Sequence, residues 1–310
     1  MQRHTETEHP VRHQPRRLSR ISAAVAALTV GVLATPAVHA LAQEQRGSII
    51  VSYEAPKSPA VQEAYDMATG AKGLEMMQVI FSPFRLPEDL YMKAVNCDGV
   101  PNAYFFREDD KPTIRFCYEL LTDMYAMIPK KPTAEGITPR EAFTGMLLFA
   151  IAHEFGHAVF DIYNLPVLGR QEDAADQFAT HFLLQFGGDL AYRLIRGAAY
   201  THHALIQSLK DKPKVTVPVL AFASDHGSPE QRFYNLVCIA YGYDPTTFAE
   251  IMDKGFLPEA RAKVCKYEYS NLSYAIKNLI GPHIDKEQAA KAAATTATWS
   301  TAPFWRKPAQ

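Results

Sequence analysis

The chain has 310 residues, 47% of them apolar, with 32 Lys and Arg against 33 Asp and Glu, for a formal net charge of -1. A charge so close to neutral gives no electrostatic argument for nucleic acid or for an acidic substrate, so neither is expected as a partner. The length suffices for one large domain, or two lobes sharing a cleft, with a substantial core.

The first element is a polar, basic stretch ending Arg16-Arg17-Leu18-Ser19-Arg20, followed by residues 21–38 without a charge and then by Ala-Val-His-Ala-Leu-Ala. That order is the pattern of a secretory signal peptide, with cleavage after Ala40 or Ala42. The alternative is an uncleaved membrane anchor. The run nears the roughly 18 to 20 residues of a span, but it is rich in Ala and Thr and interrupted by Pro36. The polar Ser19 behind the paired arginines favours ordinary export over the twin-arginine route. The expected organisation is a signal at 1–42, one domain at 43–288 and a flexible Ala/Thr-rich tail at 289–310. The product is periplasmic or secreted, and membrane-associated only if the signal is retained.

All four cysteines, Cys97, Cys117, Cys238 and Cys265, lie after the signal, and an even count in an exported chain suggests two disulfides. Of three possible pairings, Cys97 with Cys117 and Cys238 with Cys265 is favoured because each pair brackets one local unit. Each bridge would stabilise by about 3 kcal/mol in the chain-entropy view. The absence of a C-x-x-C spacing speaks against a cysteine zinc site.

Residues 47–53 (GSIIVSY) read as a short strand, and 60–77 as a helix interrupted by Gly70 and Gly73. NAYFFR (102–107) and TIRFCY (113–118) are aromatic and β-branched, and the EDDKP between them predicts a hairpin with a loop longer than two residues. Residues 119–128 have helical composition. Thr138-Pro139-Arg140-Glu141 is the best-marked helix start, with Thr138 as cap, Pro139 in the first turn and Glu141 closing a capping box. That helix should run to about Tyr163, buried all round because 146–152 is apolar on every side. A further helix is expected from near Glu172 to the Gly187-Gly188 pair. More helices follow, with a Pro-rich connector at 212–218 and the stretch SDHGSPEQRF.

Within the buried helix lies His153-Glu154-Phe155-Gly156-His157. Residues four apart share a helix face, so both imidazoles reach one ion, and Glu154 beside them can take a proton from water held by that ion. This is the physical content of H-E-x-x-H. Two histidines and a glutamate inside an apolar helix are costly to bury without a metal or other partners. A catalytic zinc usually takes three protein ligands. The extended pattern ending in a third histidine fails, because Phe160 and Tyr163 occupy its last two fixed positions. The acids of Gln171-Glu172-Asp173-Ala174-Ala175-Asp176 are the next candidates. Glu172 and Asp176 stand four apart, able to offer one carboxylate to the metal and the other to a histidine ring nitrogen; Asp173 is the alternative ligand.

The stretch HEFGHAVFDIYNLPVLGRQEDAADQFA resembles a bacterial family of zinc metallopeptidases catalogued as a domain of unknown function. CDGVPNAYFF, TIRFCYELL and the EQRFYNLVCIAYG and RAKVCKYEY runs look like further blocks of that family. The likeness covers most of the chain after residue 42. It implies His153, His157 and Glu172 as zinc ligands, Glu154 as general base, and Asp176 as the carboxylate that orients a ligand histidine. The fold so implied is α+β, mainly α and zincin-like: a small antiparallel sheet packed on the H-E-x-x-H helix, then a helical C-terminal part.

A zinc metallopeptidase acting on peptides or proteins is therefore expected. A non-catalytic zinc-binding or envelope interaction module is the alternative, against which Glu154 argues. A donor for the developing oxyanion is sought in His226, oriented by Asp225, with Arg232 able to bind a carbonyl or carboxylate. This segment resembles the His-Pro-x-x-x-x-Arg stretch of membrane-associated relatives, with Gly227 in place of the proline.

Overall fold

The computed structural model describes residues 46–210 and 224–300; the expected signal, the Pro-rich connector and 301–310 lie outside them. The elements in chain order are β1 (Ile49–Tyr53), α1 (Gln62–Gly70), α2 (Gly73–Phe81), β2 (Leu90–Val95), β3 (Ala103–Glu108), β4 (Lys111–Cys117) and α3 (Tyr118–Met127). Then follow α4 (Pro139–Ile162), α5 (Gln171–Leu184), α6 (Gly188–Lys210), α7 (Pro229–Tyr243), α8 (Glu250–Asp253), α9 (Glu259–Leu279) and α10 (Lys286–Ser300).

The fold is α+β and mainly helical. Its four strands form one sheet in the order β1-β2-β4-β3. The sheet is mixed: β1, β2 and β4 run parallel, and the antiparallel part is confined to the β3–β4 hairpin. Parallel neighbours need a crossover, and α1 with α2 supply it between β1 and β2. Register places Met92 opposite Ile114 and Ala94 opposite Phe116, so one face is a continuous buried surface. Helices α2 and α4 pack against this sheet, α4 mostly along β3.

The hairpin turn is tighter than EDDKP suggested. Glu108 pairs with Lys111, leaving only Asp109 and Asp110 in the turn, both with positive φ (49° and 60°). That backbone is the one a two-residue hairpin uses, and Asp tolerates it. Cys97, just beyond β2, is disulfide-bonded to Cys117 at the end of β4, with Cα atoms 5.5 Å apart. Cys238 of α7 is bonded to Cys265 of α9.

α4 starts as its sequence dictates. Glu141 N–H donates to Thr138 Oγ1 and Thr138 N–H to Glu141 Oε2, satisfying two of the end N–H groups. Its composition would suit a membrane span, yet nearly all of that window is buried in protein. It is the central core helix, packed by α5 and α6 as well as by the sheet. The crossing with α6 depends on glycine: a Cβ on Gly197 would lie 1.8 Å from the Glu141 carbonyl oxygen. Where composition suggested a flexible tail, residues 286–300 form α10, packed on α2 with Ala292 and Thr296 buried. Asp285 accepts the N–H groups of Glu287 and Gln288 and so caps its first turn.

Gly197→Ala should therefore push α6 away from α4 and cost about 1–3 kcal/mol, as overpacking does. Calorimetric unfolding of wild type and variant measures it; an unchanged midpoint would show that the crossing relaxes freely.

Candidate functional site

α4 sends His153 and His157 from one face, both buried. The two residues between the fixed letters of the motif serve the fold. Phe155 stacks on Phe81 at 3.8 Å and meets Phe84 edge-on, anchoring this turn of α4 to the aromatic core. Gly156 faces α5: a Cβ there would lie 3.0 Å from the Phe178 ring and 3.5 Å from Ala175 Cα. A larger residue would hold α5 off, and with it the first two turns of α5, which carry Gln171, Glu172 and Asp176 to the histidines.

Three acceptors meet at the crossing. His153 Nδ1 is 2.8 Å from Asp176 Oδ1, and His157 Nδ1 is 3.1 Å from Gln171 Oε1. Carboxylate and amide oxygens only accept, so each ring commits its Nδ1–H outward and turns a bare Nε2 inward. The two Nε2 atoms are 3.2 Å apart. Glu172 faces both, with Oε2 3.0 Å from His153 Nε2 and Oε1 3.4 Å from His157 Nε2. Lone pairs converging this closely repel unless a cation stands among them, and His153, His157 and Glu172 form a group able to hold a metal ion. Burial would lower the basicity of His153, but the Asp176 and Glu172 carboxylates outweigh it and raise its pKa to about 9. Burial likewise opposes ionisation of Glu172, and its contacts with His153, His157 and His226 overcome it, holding the carboxylate far below its usual range.

Asp176 is gripped from two sides. Arg232 of α7 donates to it twice, Nε to Oδ2 and Nη2 to Oδ1, each at 2.7 Å. Burial disfavours the charged carboxylate, while His153 and Arg232 favour it more strongly, so Asp176 stays ionised. The Arg232–Asp176–His153 chain thus fixes the ring that faces the metal position.

Glu154, next to His153, is half-buried and makes no hydrogen bond or ion pair among the described residues. Burial raises its pKa, partly offset by His153 and His157, which makes it a better proton acceptor than an exposed glutamate. His226 lies in the loop before α7, its side chain half exposed, with Nε2 2.9 Å from Glu172 Oε2 and Nδ1 3.1 Å from Asp225 Oδ1. Its pKa is raised, first by the Glu172 contact, against its partial burial.

Six candidates from the sequence therefore surround one point: His153, Glu154, His157, Glu172, Asp176 and His226, with exposed Asp225 at the rim. Asp173 turns away and binds Arg170 instead. Asp161 binds Arg107 of β3, tying the end of α4 to the sheet. The sequence reading gave no role to Gln171 or Gly156. The signals were present, a polar residue beside Glu172 at the helix start and the smallest residue within the motif, but each acquires meaning only against the opposing helix.

A family model described as a putative metallopeptidase, DUF4344, matches residues 53–280, and the chain belongs to that family. The match spans both disulfides and every residue of the site. No curated protein matches the chain, and no solved structure does.

Asp176→Asn should weaken metal binding about 10- to 100-fold, because the ring partner of His153 loses its charge and Arg232 its counter-ion. Competition against a chromogenic chelator measures the change, and unaltered affinity would show that Asp176 does not support the site.

Proposed function

We propose that the protein is an exported zinc metallopeptidase, with His153, His157 and Glu172 as zinc ligands and Glu154 as general base. One observation carries this reading. Zinc–ligand bonds of 2.0–2.2 Å in a tetrahedron put neighbouring ligand atoms about 3.3–3.6 Å apart; the two Nε2 atoms are 3.2 Å apart, and the Glu172 carboxylate reaches them at 3.0 Å through Oε2 and 3.4 Å through Oε1. Two imidazoles and a carboxylate are also a donor set suited to zinc, leaving a fourth position for water or substrate.

A bound zinc ion supplies a Lewis acid that lowers the pKa of water toward neutrality and polarises a carbonyl. The protein's residues do the rest. Glu154, without a hydrogen-bond or ion-pair partner among the described residues, takes the proton of the attacking water and passes it to the leaving amine. His226, at the rim beside Glu172 and Asp225, is placed to donate from Nε2 to the oxyanion. Asp176 and Gln171 keep both ring Nδ1 atoms committed, so the Nε2 lone pairs remain aimed at the metal. Arg232 serves through Asp176.

The substrate strand lies along β3. β4 is flanked by β2 and β3, whereas β3 is an edge of the sheet and packs along α4. An edge strand offers an extended peptide the means to add as a further strand. The segment at 1–42 is proposed as a cleaved export signal ahead of a domain beginning at 43. The two disulfides support an oxidising destination, periplasmic or extracellular.

Purified protein should contain about one zinc per chain, the count a single three-ligand site allows. Glu154→Gln should keep the metal and lose cleavage of a mixed peptide library by at least about 100-fold. Glu172→Ala should lose both metal and activity. Elemental analysis and mass spectrometry of the library read these out. Zinc held by wild type without any cleavage would favour the non-catalytic zinc module instead.

A further inference from the structure

The wall of the site beyond Glu154 is a cavity of about 200 Å³. His153, Glu154, His226 and Arg232 line it on the side of the proposed metal position, together with Asn102 and Ala103 at the start of β3. Its remaining walls are mostly apolar: Leu120, Met124 and Met127 from α3, Met146 and Phe149 from α4, and Leu205 from α6. Among the described residues no carboxylate, lysine or arginine lines this part of the space. His202, at its edge, has its pKa lowered to about 4 by burial and is neutral at pH 7. An apolar cavity of about 150 Å³ stays dry and accommodates a benzene ring, so this one is large enough for a phenyl, isobutyl or thioether side chain.

The direction of proton transfer decides which substrate residue enters. Glu154 hands its proton to the leaving amine, so the residue contributing that nitrogen passes beside Glu154, and Glu154 itself lines the cavity. We propose, resting on the peptidase reading above, that this cavity receives the side chain of the residue supplying the leaving amine and selects large apolar side chains there. Three of its walls are methionines. An unbranched thioether adapts to different shapes, so leucine, methionine and phenylalanine are all accepted, while small and charged side chains are refused. A small side chain leaves apolar wall uncovered, and a charged one is stripped of water without a counter-ion.

The test uses the purified protein loaded with zinc. The new amino-termini produced from a mixed peptide library, identified by mass spectrometry, should be leucine, methionine and phenylalanine, favoured over alanine, aspartate and lysine by about 100-fold, in keeping with pocket discrimination. Leu205→Arg and Met127→Arg place a cation in partly exposed wall positions and should shift the preference toward aspartate and glutamate, with zinc content unchanged. New termini without apolar bias, or a bias that neither substitution moves, would overturn the assignment while leaving the peptidase reading standing. A readout free of turnover is calorimetric binding of peptide hydroxamates bearing isobutyl, methyl or carboxymethyl side chains. Tightest binding of the isobutyl compound, weakened by Leu205→Arg, supports the cavity's selectivity even if no peptide is cleaved, an outcome that would sink only the peptidase reading; equal affinities overturn the inference.

Discussion

The arrangement rests on an electrostatic conflict at the crossing of α4 and α5. Two imidazole Nε2 atoms and a carboxylate are aimed at one another at 3.0 to 3.4 Å, inside a largely buried site. Three acceptors so close are unfavourable by themselves. They persist because each histidine is held from behind, His153 by Asp176 and His157 by Gln171. A cation turns the conflict into coordination, and the rest of the molecule is organised to keep the three groups in place.

That organisation is mostly helix packing. Gly156 lets α5 approach, while Phe155 locks the same turn of α4 to Phe81 and Phe84. On the opposite side the α4–α6 crossing closes at Gly197. α7 then delivers Arg232 to Asp176, so a residue 56 positions away in sequence completes the support of His153. The Cys238–Cys265 bridge ties α7 to α9 and steadies the helix that carries this arginine. Buried pairs of this kind add little stability over an apolar core, so their value here is the fixed orientation of a ring.

The sheet contributes position more than chemistry. Its mixed order leaves β3 at the edge beside α4, and the Arg107–Asp161 pair joins that strand to the end of the helix. Glu154 lines an apolar cavity to which Asn102 and Ala103, at the start of β3, also contribute.

Local rules were legible where the chemistry is local. The capping box at Thr138–Glu141, the all-apolar turn preceding His153 and the four-residue spacings of His153 with His157 and of Glu172 with Asp176 depend only on neighbours in the chain. They read correctly because a helix converts spacing into direction. The hairpin turn was misjudged by a few residues because Glu108 and Lys111, polar enough for a loop, join the ladder. α10 was missed because an Ala/Thr-rich segment has little periodic signal, and the capping Asp285 and the surface of α2 are what make it a helix. The sequence by itself determined that His153 and His157 share one face of a capped, buried helix and that Glu172 and Asp176 stand one turn apart on the next. Only the tertiary structure decided that Gln171 holds His157, that Arg232 holds Asp176, that Asp173 turns away, and that β3 lies at the sheet edge beside α4. Each of these depends on the distance between elements far apart in the chain, set by how closely glycines and aromatic rings let them pack.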